Sequence, residues 1–118
     1  MPTKPSSPLP PMRPNDFYIL FVLLDGPLHG YRISKQIEQL SGGRVRLEAA
    51  NLQRTIQKLH RMGLVEIPTK RPARAQDDPR RRYYAITELG RTAVVAEAER
   101  MRGLAQVAEV RRLIPRTG

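Results

Sequence analysis

The chain has no cysteine and no tryptophan, only two histidines and two phenylalanines. Each scarcity excludes something. Without Cys there is no disulfide framework, no thiolate zinc site and no cysteine nucleophile, and a reducing interior suits such a chain. His29 and His60 are too few for most metal sites, so no metal or other cofactor is implied. Long apolar runs are also missing. The longest, Phe17 to Leu24, is eight residues, against the roughly 20 that span a bilayer. The N-terminus lacks the signal-peptide order of charge, apolar block and small-residue cleavage site. The expectation is a soluble, cytoplasmic protein with no membrane partner.

Acidic residues are in short supply: 21 Lys and Arg against 11 Asp and Glu leave a formal charge of +10 on 118 residues. A chain of this length is one domain by the usual prior, and it buries about two-thirds of its unfolded surface without staples. A strong positive balance favours an anionic partner but says nothing about fold.

Residues 1–14 hold six of the eleven prolines and no apolar periodicity, so an extended, largely disordered tail is expected there. Asn15 or Asp16 can then cap a helix whose body FYILFVLLD is apolar nearly all round, as a buried central helix is. Gly26 and Pro27 end it. In the next segment Ile33, Ile37 and Leu40 repeat at helical spacing, and Gly42 and Gly43 stop it. A third helix follows, with Leu52, Ile56 and Leu59 on one face and Gly63 at its end. The period then turns from helical to alternating. LVEIP and RRYYAIT read as two strands separated by Thr69 to Arg80, a connection long for a hairpin. Thr87 can cap a last helix running to about Leu113, with Val94, Ala98, Met101, Leu104, Ala105 and Ala108 along one stripe. Residues 15–87 thus form one unit, and 88–114 a C-terminal helix too weakly apolar to bury alone, expected to dimerise.

Eight of the ten charge units lie in two places: +4 over residues 44–62 and +4 over 69–84. A helix pair followed by a basic hairpin is the layout of a winged helix-turn-helix, a mainly α fold with a small β-hairpin. Its second helix enters the major groove and its wing lies on the backbone. Loop cations Lys70, Arg71, Arg74, Arg80, Arg81 and Arg82 would neutralise phosphates, which gives affinity without sequence information. Asn51, Gln53, Arg54 and Gln57 can reach base edges, with Lys58 nearer the backbone.

The stretch LDGPLHGYRISKQIEQLSGGRVRLEAANLQRTIQKLHRMGLVE followed by RRYYAITELGR resembles the PadR family of bacterial transcription regulators. The most specific parts are Gly26 to Tyr31, Gly63-Leu64-Val65, and Tyr83-Tyr84 through Arg91. The resemblance implies a winged helix-turn-helix, a homodimer made through the C-terminal helix and, usually, repression by binding double-stranded operator DNA. Members commonly start the recognition helix with Gly-Thr-Leu-Tyr; here it reads Ala50-Asn51-Leu52-Gln53, so Gln53 stands where an aromatic often meets DNA. The single helix after Thr87 matches the short branch. Some short relatives hold flat ligands between aromatic residues at the dimer interface, and this last helix has none, so a small-molecule effector stays an open question.

Smaller features have plainer readings. His29 reads as a cap or packing residue, and Gly30 as a point of close approach for a helix or the DNA backbone. Tyr31 either packs in the core or hydrogen-bonds a phosphate. Tyr83 and Tyr84 point to opposite faces of a strand. Asp77 and Asp78 suit a turn before Pro79 better than a metal site. The alternative function is a non-specific architectural DNA- or RNA-binding protein. An enzyme is disfavoured, because no nucleophile with a partnered base, phosphate loop or metal spacing is present. A protein-interaction module that has lost DNA binding is a further rival, against which the basic wing argues.

Overall fold

A computed structural model of the protein describes residues 11–69 and 81–116. Helix α1 spans Pro14–Val22 and continues as a 3-10 turn over Leu23–Asp25. Strand β1 is Leu28–His29, α2 Gly30–Leu40, α3 Ala49–Arg61, β2 Val65–Glu66, β3 Tyr83–Ile86, and α4 Glu88–Val110. Helix α1 packs on α2, α3 and α4 alike. Its Ile19, Leu20 and Leu23 are buried, together with Ile33 and Ile37 of α2 and Leu52, Ile56 and Leu59 of α3. Each such side chain contributes roughly 1.5–3 kcal/mol by leaving water. Leu40, the last residue of the predicted α2 stripe, is exposed instead.

The sheet has one strand more than the two expected. Leu28 and His29 pair antiparallel with Tyr84 and Tyr83, while Val65 and Glu66 pair with Ile86 and Ala85 on the other side, giving the order β1-β3-β2. A two-residue strand leaves no alternation to detect, which is why the sequence read this piece only as a helix lead-in. Tyr84 faces the core and Tyr83 the opposite side, as the pleat demands.

Helix ends follow the expected chemistry with one exception. Leu64 N–H bonds to Leu59 C=O and Gly63 N–H to His60 C=O, a Schellman closure of α3 with Gly63 at φ +80°. The Thr87 hydroxyl caps α4 by accepting from Gly90 N–H at 3.0 Å, and the His29 ring caps α2 by accepting from Arg32 N–H at 3.3 Å. At α1 neither Asn15 nor Asp16 is the cap. Arg13 holds that position and Pro14 is the first helical residue, where its missing N–H costs nothing. Residues 11–14 of the expected tail are therefore structured: Met12 packs on the core and its N–H bonds to Glu97 Oε1 at 3.2 Å. Residues 1–10 lie outside the described part.

Gly90 is required by packing rather than by a turn. A Cβ there would stand 2.3 Å from Leu64 O and 2.7 Å from Ile86 Cγ1, so α4 starts pressed against the backbone leaving α3. The first half of α4 consequently shares the core of residues 15–87: Ala93 and Val94 are buried, Val94 to 2 % exposure.

Candidate nucleic-acid interface

Helix α3 turns its apolar residues to the core and leaves Asn51, Gln53, Arg54 and Gln57 exposed, with Arg61 on the same face, so a polar face with two cations points outward. Lys58 stands apart from this set. Its Nζ lies 3.0 Å and 2.7 Å from the two carboxylate oxygens of Asp16, buried in the first turn of α1. Lys58 is thus an intramolecular partner rather than the backbone contact expected from its place in the α3 pattern. Its position on the flank of the apolar stripe, one residue before Leu59, is what turns it inward. Gln53 Nε2 donates to Tyr84 Oη at 3.2 Å, which links α3 to β3.

A second group of side chains gathers at the start of α2. Pairing of His29 with Tyr83 across β1 and β3 brings the base of the wing beside α2. Arg81 Nη1 lies 3.0 Å from His29 Nε2, and its guanidinium carbon stands 6.0 Å from the Tyr31 ring centroid. Lys35 Nζ stands 5.8 Å from the same ring centroid. His29 stacks on Tyr31 and meets Tyr83 edge-on at 5.4 Å. Each cation is attracted by the ring quadrupole. Tyr31 is 62 % exposed, which removes the core alternative. Gly30 is not a tight spot, since a Cβ there would meet only Leu52 Cδ2 at an ordinary 3.6 Å. Arg81 and Arg82 are exposed at the foot of the wing; Lys70, Arg71, Arg74 and Arg80 lie outside the described residues, as do Asp77 and Asp78. This cluster was missed in the sequence because nothing in the spacing of His29 and Arg81, 52 residues apart, signals a shared sheet.

Along α4 the predicted stripe divides. Val94 belongs to the core of the chain itself and so cannot line a dimer contact, because the first turns of α4 lie on α1 and β3. Ala105 and Ala108 are half-buried, whereas Ala98, Met101 and Leu104 are exposed. So are Val107, Val110, Leu113 and Ile114, which the sequence stripe did not include. At the junction Glu97 is buried and gripped by Arg100 through Nε at 3.1 Å and through Nη2. Those bonds, with the Met12 N–H, hold its carboxyl below the ordinary glutamate range despite burial. Among the described residues no group of His, Cys, Asp or Glu could hold a metal ion, and no helix is long and apolar enough to cross a membrane.

Residues 19–96 match the model of the transcriptional regulator PadR-like family, a span from the core of α1 to the middle of α4. The chain belongs to the PadR-like family. Its members are DNA-binding transcriptional regulators, not enzymes. A PadR-like winged helix is also the fold of its structural neighbours. A transcriptional regulator from Clostridium thermocellum, Cth-833, superposes with a TM-score of 0.66 at 24% identity over 80% of this chain and 86% of that one. Bacillus subtilis PadR, solved in complex with operator DNA, gives 0.56 at 23% identity over 71% of this chain and 46% of that one. An uncharacterized 37.1 kDa protein in a Streptomyces fradiae transposon, TN4556, is 38% identical over 92 residues. This PadR-like chain aligns over 76% of its own length there but spans only 24% of that relative.

Proposed function

We propose that this PadR-like regulator binds a roughly palindromic operator as a homodimer and represses transcription. Helix α3 reads bases in the major groove, and the wing, with Tyr31 and its flanking cations, holds the backbone. The observation that carries this reading is the exposed face of Asn51, Gln53, Arg54 and Gln57, tied to the wing strand through Gln53 and Tyr84. Amide and guanidinium groups are the ones that match base edges, while the wing cations suit phosphates. The exposed apolar residues from Met101 of α4 to Ile114 just beyond it support a dimer, since so apolar a chain end is unfavourable in water. Two copies related by a two-fold axis would place their α3 helices on half-sites about one helical turn apart, roughly 34–36 Å. No cofactor enters this reading.

Selection of bound sequences from a random duplex pool tests it. An inverted repeat recovered at physiological salt is the expected result. A pool in which no sequence is enriched would replace this reading with non-specific architectural binding.

A further inference from the structure

Bonds within the chain sort the exposed face of α3. On the flank towards α1, Lys58 Nζ is held by both carboxylate oxygens of Asp16 at 3.0 Å and 2.7 Å. On the flank towards the sheet, the Tyr84 hydroxyl meets both ends of the Gln53 amide, accepting from Nε2 at 3.2 Å and donating to Oε1 at 3.5 Å. Tyr84 is 4 % exposed, so the core fixes that hydroxyl in place. A glutamine reads adenine by presenting an N–H and its carbonyl oxygen side by side. Here one hydroxyl covers that edge, which withdraws Gln53 from readout.

Between the two tied flanks stands Arg54. The buried stripe of α3 is Leu52, Ile56 and Leu59, and with about 3.6 residues to the turn Arg54 and Arg61 lie almost opposite it. Both are exposed, and the side chain of neither makes a hydrogen bond or ion pair among the described residues. Two turns, roughly 10 Å, separate them. Recognition helices meet base edges with their N-terminal residues. Arg54, in the second turn of α3, therefore belongs at the floor of the groove, and Arg61, the last residue of the helix, towards its rim. A guanidinium fork carries parallel N–H donors and no acceptor. Guanine presents two acceptors to the major groove, N7 and O6, whereas adenine presents an acceptor beside a donor. The fork matches guanine and sets donor against donor at adenine. We propose that Arg54 is the specificity-determining residue of α3, pairing with one guanine in each half-site, while Gln53 reads no base. This rests on the reading above that α3 enters the major groove.

The test is selection from a random duplex pool with full-length wild type, Arg54→Ala, Arg54→Lys, Arg61→Ala and Gln53→Ala, followed by affinities at several salt concentrations. Wild type should enrich half-sites with one dominant guanine, preferred over adenine by about 5- to 150-fold. Arg54→Ala should bring that ratio close to unity. Arg54→Lys keeps the charge but not the fork, so it should lower the ratio and leave the salt slope as it was. Arg61→Ala should keep the wild-type consensus and reduce the slope by about 0.9, and Gln53→Ala should keep the consensus at every position. A wild-type consensus without guanine, the same guanine enriched by Arg54→Ala, its loss in Arg61→Ala, or a changed base in Gln53→Ala would each overturn the proposal. Absence of any enriched sequence for wild type would instead remove the sequence-specific reading itself, and the role of Arg54 with it.

Discussion

Lys58 Nζ lies 2.7 Å from Asp16 Oδ2, joining the last turn of α3 to the first turn of α1. The pair is half in water, with Lys58 partly exposed and Asp16 buried, so its worth falls between that of surface and interior ion pairs. Lys58→Ala leaves the Asp16 carboxylate without its cation and should cost about 1–3 kcal/mol of stability by urea denaturation. Because Lys58 is already occupied, the same substitution should leave the salt dependence of DNA binding as it was. Unchanged stability together with a shallower salt slope would return Lys58 to the phosphate-contacting set.

Two glycines of α4 should respond oppositely to the same change. Gly90→Ala drives a Cβ into the Leu64 carbonyl and the Ile86 side chain, neither of which can withdraw far, and about 3 kcal/mol of destabilisation is expected. At Gly103 a Cβ meets nothing within 4 Å, so Gly103→Ala should stabilise by about 0.5–1 kcal/mol through helix propensity alone. Thermal melts of both variants decide it, and equal shifts would mean that the contact at Gly90 relaxes.

That contrast shows where the sequence was readable. Local chemistry could be seen in it: the caps at Thr87 and His29, the glycine stops after α2 and α3, and the stripes of Ile33, Ile37, Leu52, Ile56 and Leu59. Relationships between distant residues could not. Gly90 looks like any helix-start glycine until Leu64 is brought against it, and Val94 looks like the next member of an exposed stripe until α1 covers it. Of the candidate interface, the exposure of the polar face of α3 was legible from its spacing. The Arg81, His29 and Tyr31 cluster depends on a two-residue strand with no period of its own.

Removing one wing cation should weaken all DNA alike. Arg82 is exposed at the foot of β3. Arg82→Ala should lower affinity for operator and random duplex by similar factors and reduce the slope of log K against log salt by about 0.9, one phosphate's worth. Titrations at several salt concentrations measure it. A change confined to the operator would make Arg82 a base reader instead.

Dimer formation should depend on the end of α4 rather than on its start. Leu104 and Val107 are exposed within the subunit, so Leu104→Asp or Val107→Asp removes no intrachain core contact. Sedimentation should report a monomer that keeps its helical content, with operator affinity reduced about 10²-fold as two-site binding is lost. A variant that stays dimeric with full affinity would place the dimer contact elsewhere.

Glu97 makes stability sensitive to acid in a defined direction. Its folded carboxyl titrates below the ordinary glutamate range because Arg100 and the Met12 N–H bond to the charged form. The unfolded chain therefore takes up the proton first as pH falls, so the stabilisation is complete at neutral pH and fades from the ordinary glutamate range down through the lowered folded value. Glu97→Gln should be less stable than wild type at pH 7 and should lose this part of the acid dependence, so that the two denaturation curves converge as pH drops. Curves that stay parallel through that range would show that the Glu97 bonds to Arg100 and Met12 contribute nothing specific to its ionised form.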